Sequence, residues 1–514
     1  MNRKRTSLLR WLQHLLRTLL VRLLWQFCGK AEAGLTEATT GSNRCKPKVG
    51  DIVPIPRVKG LPVVGTLLDL IAAGGATQLH KYIDARHRQY GPIFRERLGG
   101  SQDAVFVSSA NLMRGVFLHE GQYPQHPLPD AWTLYNQRHA CQRGLFFMEG
   151  TEWLHNRRIL NRLLLNGNLN WMDVHIESCT RQLVDQWRTS TEQAAAEGSH
   201  YELPELEQQL YRWSIEVLCC IMFGSNVLTC PKIQSALDHF TQIVHKVFEH
   251  SSRLMTFPPR LAQLLRLRIW RDFESNVDEV LREGAAIIDH CIGGEFNGDN
   301  GQPELREETL FHRLQTAEVP GEMIKRIFVD LVIAAGDTTA FSSQWALFVL
   351  SREPQLQRRL ASERRASESQ LMHGLIKESL RLYPVAPFIG RYLPQDAHLG
   401  GHLVEKDTMV LLSLYTAGRD ASHFEQPERV LPERWCVGRS EQVHQSHGSL
   451  PFAIGQRSCI GRRVALKQLH SLLGKSATQF EMQCLNERPV DCMLRMVTVP
   501  DQTLRLALRP RSSE

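Results

Sequence analysis

The chain has 514 residues, 42% hydrophobic and 22% charged, a globular composition long enough to bury a large core. Its net charge of +7 sits in the first 30 residues, where Arg3, Lys4, Arg5, Arg10, Arg17, Arg22 and Lys30 meet no acid; removing those seven from the 61 basic residues leaves 54 against 54 acidic ones. The body therefore carries no electrostatic footprint for nucleic acid, and twelve cysteines without CxxC or zinc-type spacing argue against a zinc module and suit a reducing compartment.

The leader MNRKRTSLLRWLQHLLRTLLVRLLWQFCGK puts Leu8, Leu12, Leu15, Leu16 and Leu19 on one helical face and Arg10, His14 and Arg17 on the other. An Arg-rich, acid-free, amphipathic leader reads as a mitochondrial transit peptide. A signal anchor would need about 18 uncharged apolar residues, and Arg10, Arg17 and Arg22 interrupt every such run; a basic helix lying on a membrane surface is the remaining alternative. Residues 1–30 are thus the expected transit peptide, 31–52 a polar linker and 53–514 the functional domain. That domain opens on Val53-Pro54-Ile55-Pro56, with Pro62 close behind, a density of proline that excludes helix and central strand.

Trp153 and Arg157 are four apart and share a helix face. Residues 187–207 and 293–304 read as solvent loops, the second rich in Gly, Asn and Asp, and Tyr211–Gly224 has a helical pattern. Pro258-Pro259 breaks a helical run. From Pro320 to Pro354 an uninterrupted segment predicts a helix of about 30 residues, about 45 Å long. Its middle holds Ala334-Ala335-Gly336-Asp337-Thr338-Thr339. An acid beside alcohols is unfavourable inside an apolar helix, which marks Asp337 and Thr338 as candidates for chemistry. Glu378 and Arg381 can pair at i, i+3. His373 and Lys377 share a face, and an imidazole there would charge between pH 8 and pH 6.

Near the C-terminus stands Phe452-Ala-Ile-Gly-Gln-Arg457-Ser-Cys459-Ile-Gly461. A thiolate is a strong ligand for haem iron. Gly455 and Gly461 let backbone approach a flat cofactor, Arg457 suits a carboxylate, and Phe452 can shield the sulfur.

This stretch fits FxxGxRxCxG and resembles the haem-binding loop of the cytochromes P450. The rest of the chain from residue 53 matches in order: the proline-rich hinge, the WxxxR of Trp153 and Arg157, the A-G-x-D-T of the central helix (with Ala335 where Gly is usual), and the ExxR of Glu378 and Arg381 with Arg434 as its third member. The resemblance implies the mainly helical P450 fold with a smaller β region, haem b between the 320–352 helix and the Cys loop, and 53–514 as a haem-thiolate monooxygenase domain. It implies Cys459 as the axial ligand, and Trp153, Arg157, Arg391, Phe452 and Arg457 around the haem. It also implies a buried structural network of Glu378, Arg381 and Arg434, and Asp337 and Thr338 as the pair that delivers protons to dioxygen.

Arg462-Arg463 after the Cys loop, with Lys377, resemble the mitochondrial class. That class implies electrons from NADPH through ferredoxin reductase and an adrenodoxin-type 2Fe-2S ferredoxin, at the matrix side of the inner membrane as a peripheral protein. The runs VPIPRVKGLPVVGTLLDLIAAGGAT and DLVIAAGDTTAFSSQWALF resemble insect steroid hydroxylases of that class, which implies oxidation of 2-deoxyecdysone at C2 to ecdysone. Trp132, Ile333, Val385, Phe388 and Val497 are the apolar candidates for the substrate pocket and would suit any steroid. A mitochondrial P450 acting on xenobiotics or another sterol is the nearer alternative. A haem-thiolate protein that is not an oxygenase is the more distant one.

Overall fold

The computed structural model describes residues 53–511, apart from 63, 100–102, 198–200, 256, 293–307, 364–365, 437 and 439–442. The expected transit peptide, the linker up to residue 52 and the 293–304 loop lie outside the described residues. All that follows belongs to one compact unit, Ile52–Glu514.

The helices that build the core are α1 (Gly150–Leu164), α2 (Trp171–Ala196), α3 (Leu206–Phe223), α4 (Pro231–Leu254), α5 (Pro259–Leu264), α6 (Arg268–Ile292), α7 (Gly321–Ser351), α8 (Gln370–Leu382) and α9 (Arg462–Gln479). The 31-residue α7 runs through the middle. Its apolar residues point all round, Ile327, Phe328, Val332, Phe341, Trp345 and Phe348 being buried, which is the pattern of a helix enclosed by others. It starts directly after Pro320 and is followed at Pro354 by a new helix, as proline at a first turn and beyond a last turn dictates.

Gly336 lets α3 close on α7: a Cβ there would stand 2.5 Å from the Tyr211 hydroxyl oxygen. The expected break at Pro258-Pro259 separates α4 from α5. The expected solvent loop at 187–207 is corrected. Residues 187–196 continue α2, because Trp187 and Thr191 are buried on its inner face and the Glu-Gln-Ala-Ala-Ala tail is a strong helix former.

The β region is small. Strands β1 (Ile93–Glu96) and β2 (Ala104–Val107) pair antiparallel, and β2 pairs parallel with β7 (Met409–Ser413). That strand pairs antiparallel with β4 (Phe388–Tyr392), Arg391 standing opposite Val410. Between them in sequence, β5 (Ala397–Leu399) and β6 (His402–Val404) form a hairpin. A second sheet joins β3 (Tyr201–Glu202), β11 (Leu506–Pro510) and β8 (Phe480–Cys484), and β9 (Cys492–Arg495) pairs with β10 (Val497–Pro500). Arg391 on β4 meets Glu120, and the Cys459 loop just before α9 meets α1 through Arg157 and Trp153.

Candidate haem-thiolate site

The loop that carries Cys459 is pinned from both sides. The Cys459 N–H donates to the Phe452 carbonyl over 2.9 Å. Arg457 donates from Nε to the Pro124 carbonyl and from Nη2 to the Met148 carbonyl, and its guanidinium lies 4.4 Å from the Trp153 ring centroid. Gly455 sits at φ +80°, and a Cβ there would fall 2.1 Å from Glu120 Oε1, so this turn requires glycine. The Cys459 side chain is exposed, yet protein crowds it so closely that burial pushes its thiol pKa up. Both hold if the sulfur lines an internal space. The backbone N–H groups of Gly461 and Arg462 and the charges of Arg157 and Arg462 act the other way, towards thiolate, as the start of a helix does.

Beside the loop lies a buried basic cluster. Arg157 donates from Nη2 to the Ser458 carbonyl at 2.6 Å, while its buried Nε makes no hydrogen bond within the protein. Arg391 donates from Nε to Glu120 Oε2 at 2.7 Å, and its buried Nη2 has no partner. His126 Nε2 has none either. Burial lowers Arg157 and Arg457 to about 10, and burial together with Arg457 and Arg391 lowers His126 to about 3. Glu120 is the acid that ties this cluster together, taking Arg391 on one oxygen and the Gln456 N–H on the other. Unpaired buried cations are costly, so a cluster of this sign is built to meet an anion.

On α7, Ala334 and Thr338 are the exposed residues between Ile324 and Ser351. They are one turn apart and open one face of an otherwise buried helix. Thr338 Oγ1 donates back to the Ala334 carbonyl at 2.7 Å. Asp337 is buried and turned away from this face, with Oδ1 unpartnered. Burial, then the charge of Glu207, pushes its carboxyl up to about 8. The acid and the alcohol are therefore sequence neighbours that do not touch.

Folded Asp337 holds its proton up to about 8, whereas the unfolded group, at about 3.8, loses it earlier. Between those values the unfolded state binds fewer protons, so stability falls as pH rises. Asp337→Asn should abolish this slope and gain in thermal midpoint over the parent at pH 8 but not at pH 4. Parallel midpoint-versus-pH curves for the two proteins would contradict the burial of this acid.

Glu378, Arg381 and Arg434 meet in one buried cluster. Glu378 receives Arg381 Nε and Nη2 at 2.8 Å each, the Trp435 indole at 2.8 Å and the Leu431 N–H at 2.9 Å, and Arg434 Nε lies 3.3 Å from Glu378 Oε2. Arg462 and Arg463 are exposed at the start of α9, where positive charge opposes the helix dipole; stability alone does not account for them there. Lys377 is half-buried, its ammonium 4.8 Å from the Trp435 ring centroid, and burial lowers its pKa.

The substrate candidates do not form one cluster. Trp132 and Ile333 belong to the main core, Val385 and Val497 to a second cluster around Trp345, and Phe388 packs on a third. Trp132 is held by its indole N–H to Ser251 at 2.9 Å. Sequence reading missed Glu120, His126 and the buried pair of Arg143 and Asp330, in which Gly144 N–H also meets the carboxylate. Their partners lie far away in the chain, so no local pattern announces them.

A flat dianion bound through sulfur fits these residues. The thiol is exposed yet closely surrounded by protein, α7 opens a face made of a small residue and an alcohol, and the basic cluster retains buried nitrogens suited to two carboxylates. Haem b would be held by Cys459, with Arg157, Arg391 and Arg457 on the propionate side and Trp153 supporting Arg457.

Comparison with known proteins agrees. The family model "Cytochrome P450" matches residues 55–508. The chain is 78% identical to "Cytochrome P450 315a1, mitochondrial" of Drosophila melanogaster over 99% of each chain. It is 28% identical to the mitochondrial 1,25-dihydroxyvitamin D(3) 24-hydroxylase of Rattus norvegicus (90% of each), and 27% identical to the rat mitochondrial sterol 26-hydroxylase (92% and 91%). The crystal structure of cytochrome P450 CYP102L1 shares the fold, with TM-score 0.71 and 20% identity over 90% of this chain and 100% of that one. The chain belongs to the cytochrome P450 family of haem-thiolate monooxygenases.

Proposed function

We propose that the protein is a mitochondrial steroid hydroxylase that converts 2-deoxyecdysone to ecdysone by hydroxylation at C2. The observation that carries this reading is the near end-to-end identity with an insect mitochondrial P450; relatives named for sterol and vitamin D hydroxylation support the substrate class. Bound haem supplies the oxidising chemistry on dioxygen. The chain's own residues do the rest. Cys459 provides the thiolate and the arginine cluster neutralises the propionates. Thr338 presents its hydroxyl on the open face of α7, and Asp337, protonated near neutral pH, stores a proton one residue away. Apolar residues among Trp132, Ile333, Val385, Phe388 and Val497 orient the steroid and exclude water. The test is turnover with NADPH, ferredoxin reductase and ferredoxin on a panel of ecdysteroid precursors and xenobiotics. The expected product is 2-deoxyecdysone plus one oxygen at C2; oxidation of xenobiotics alone would overturn the assignment.

The electron donor in this reading is an adrenodoxin-type 2Fe-2S ferredoxin, docked on Lys377, Arg462 and Arg463. The leader supports import. Among the described residues no helix is long and apolar enough to cross a membrane. Exposed Met255, Leu261, Leu264 and Leu265 on and around α5 support peripheral contact with the inner membrane. Exposed charges act mainly on association and are screened within about 8 Å at physiological salt. Arg462→Gln with Arg463→Gln should therefore raise the ferredoxin concentration for half-maximal turnover several-fold at low salt, leaving substrate binding unchanged, and Lys377→Gln should do so more weakly. Ferredoxin titrations identical to the parent's for both the double variant and Lys377→Gln would place electron entry on another surface. At His373 the ring stacks on His470 at 5.8 Å, and burial, with Lys377 and His470, lowers its pKa, so any charge it adds to docking arrives at lower pH than on a free imidazole.

A further inference from the structure

On α7 the acid and the alcohol face different ways, and the acid faces α3. Tyr211 comes from α3 and reaches Gly336, the residue before Asp337; its hydroxyl oxygen would lie 2.5 Å from a Cβ at that glycine. Tyr211 is fully buried, and its hydroxyl makes no hydrogen bond. Asp337 Oδ1, in the same contact between the two helices, makes none either. The nearby Ser214 hydroxyl is already committed to the carbonyls of Tyr211 and Gly336, at 2.8 and 3.3 Å. A buried donor and a buried acceptor in one helix contact, near enough for the Asp337 charge to act on the phenol, are rarely both left unpaired. The remaining groups here are Glu207, one turn before Tyr211 on α3, and His245 of α4, whose ring stands edge-on to Tyr211 and 3.9 Å from Glu207.

We propose that Tyr211 is a positioning residue for Asp337: its O–H donates to the Asp337 carboxyl and holds that acid in place while its proton is released towards the Thr338 face of α7. The proton that moves is the one on Asp337. It leaves for the Thr338 side, its electron pair stays on the carboxylate, and Tyr211 stabilises that anion while keeping its own proton. Solvent reprotonates Asp337 through the Glu207 and His245 edge. Burial and the Asp337 charge hold the phenol pKa well above its ordinary value, so Tyr211 stays a donor throughout. This also explains why position 336 carries no side chain: a methyl group there would drive the phenol off its carboxyl.

The inference rests on Asp337 and Thr338 being the proton-delivering pair, and the experiment separates the two ideas. In the haem-loaded enzyme, the carbonyl stretch of protonated Asp337 is found by infrared difference between H2O and D2O and identified by its loss in Asp337→Asn. Tyr211→Phe, which keeps the ring, should shift this band, and Gly336→Ala, which displaces the hydroxyl without removing it, should shift it too. In Tyr211→Phe, product formed per NADPH should fall about two- to tenfold, the equilibrium worth of one hydrogen bond, with substrate binding unchanged. The thermal midpoint should also fall, whereas deleting a hydroxyl that truly lacks a partner would raise it. A band that stays in place in both variants overturns the proposal. If the band shifts but Thr338→Ala leaves product per NADPH intact, the Tyr211–Asp337 contact stands and the proton-delivery reading of the pair is lost.

Discussion

Cys459→Ser is expected to yield a protein without the red-shifted ferrous–CO Soret band of a thiolate-ligated haem and without monooxygenase turnover. The substitution is nearly isosteric, and the bonds that shape the loop do not involve the sulfur: the 459 N–H reaches Phe452 O, and Arg457 reaches Pro124 O and Met148 O. The loop should therefore keep its form and lose only its ligand chemistry. The Gly461 and Arg462 N–H groups that favour a thiolate cannot ionise an alcohol near neutral pH, and a neutral hydroxyl lacks the electron donation that favours O–O cleavage. Cys436→Ser and Cys484→Ser, at half-buried positions away from the loop, serve as controls and should retain the full CO spectrum. A thiolate-type spectrum surviving in Cys459→Ser would remove this residue from the site.

The parts of the structure that local pattern could disclose were those whose chemistry is local. The Cys loop concentrates glycine, arginine and cysteine in ten residues because a backbone turn and a ligand must coincide there. The central helix declares itself by length between Pro320 and Pro354, and Asp337 by being an acid in an apolar run. What stayed hidden depends on distant pairing. Glu120 matters because Arg391 and Gln456, far along the chain, converge on it, and a single Glu after a helix has no signature. The 187–196 segment looked polar enough for a loop, but Trp187 and Thr191 face the core at helical spacing. The five apolar substrate candidates share only their residue type, and the fold distributes them over three clusters; hydrophobicity says that a side chain is inside, not which neighbours it meets there. Likewise the sequence sets Asp337 beside Thr338, while the 100° step of a helix turns one towards α3 and leaves the other on the open face.

Glu378→Gln should be among the most destabilising single substitutions in the chain, although it changes one atom. Glu378, Arg381 and Arg434 have fully buried side chains. Both Glu378 oxygens are used, Oε1 by Arg381 and Trp435, Oε2 by Arg381, Leu431 N–H and Arg434. Arg381 spends its other contacts on the carbonyls of Gly418, Pro427 and Arg429, so the pair stitches α8 to the segment that leads into the Cys loop. Glutamine has the same shape but turns one acceptor into a donor facing guanidinium N–H groups, and it leaves two buried cations without a counter-charge. Breaking a buried pair in this way costs about 3–5 kcal/mol, a large part of the roughly 5–15 kcal/mol that holds a domain together. The expected result is a much lower denaturation midpoint and poor haem retention. Replacing the partners together, Glu378→Leu with Arg381→Met and Arg434→Met, should recover part of the loss, because no unpaired charge remains. The exposed pair of Arg505 and Glu202, with its bonds at 2.7 and 2.9 Å, is the contrast: Arg505→Gln should shift stability far less, because solvent screens an exposed pair. If Glu378→Gln cost no more than Arg505→Gln in the same denaturant titration, the charge of this network would be dispensable, and its hydrogen-bonding shape alone would hold α8 to the loop.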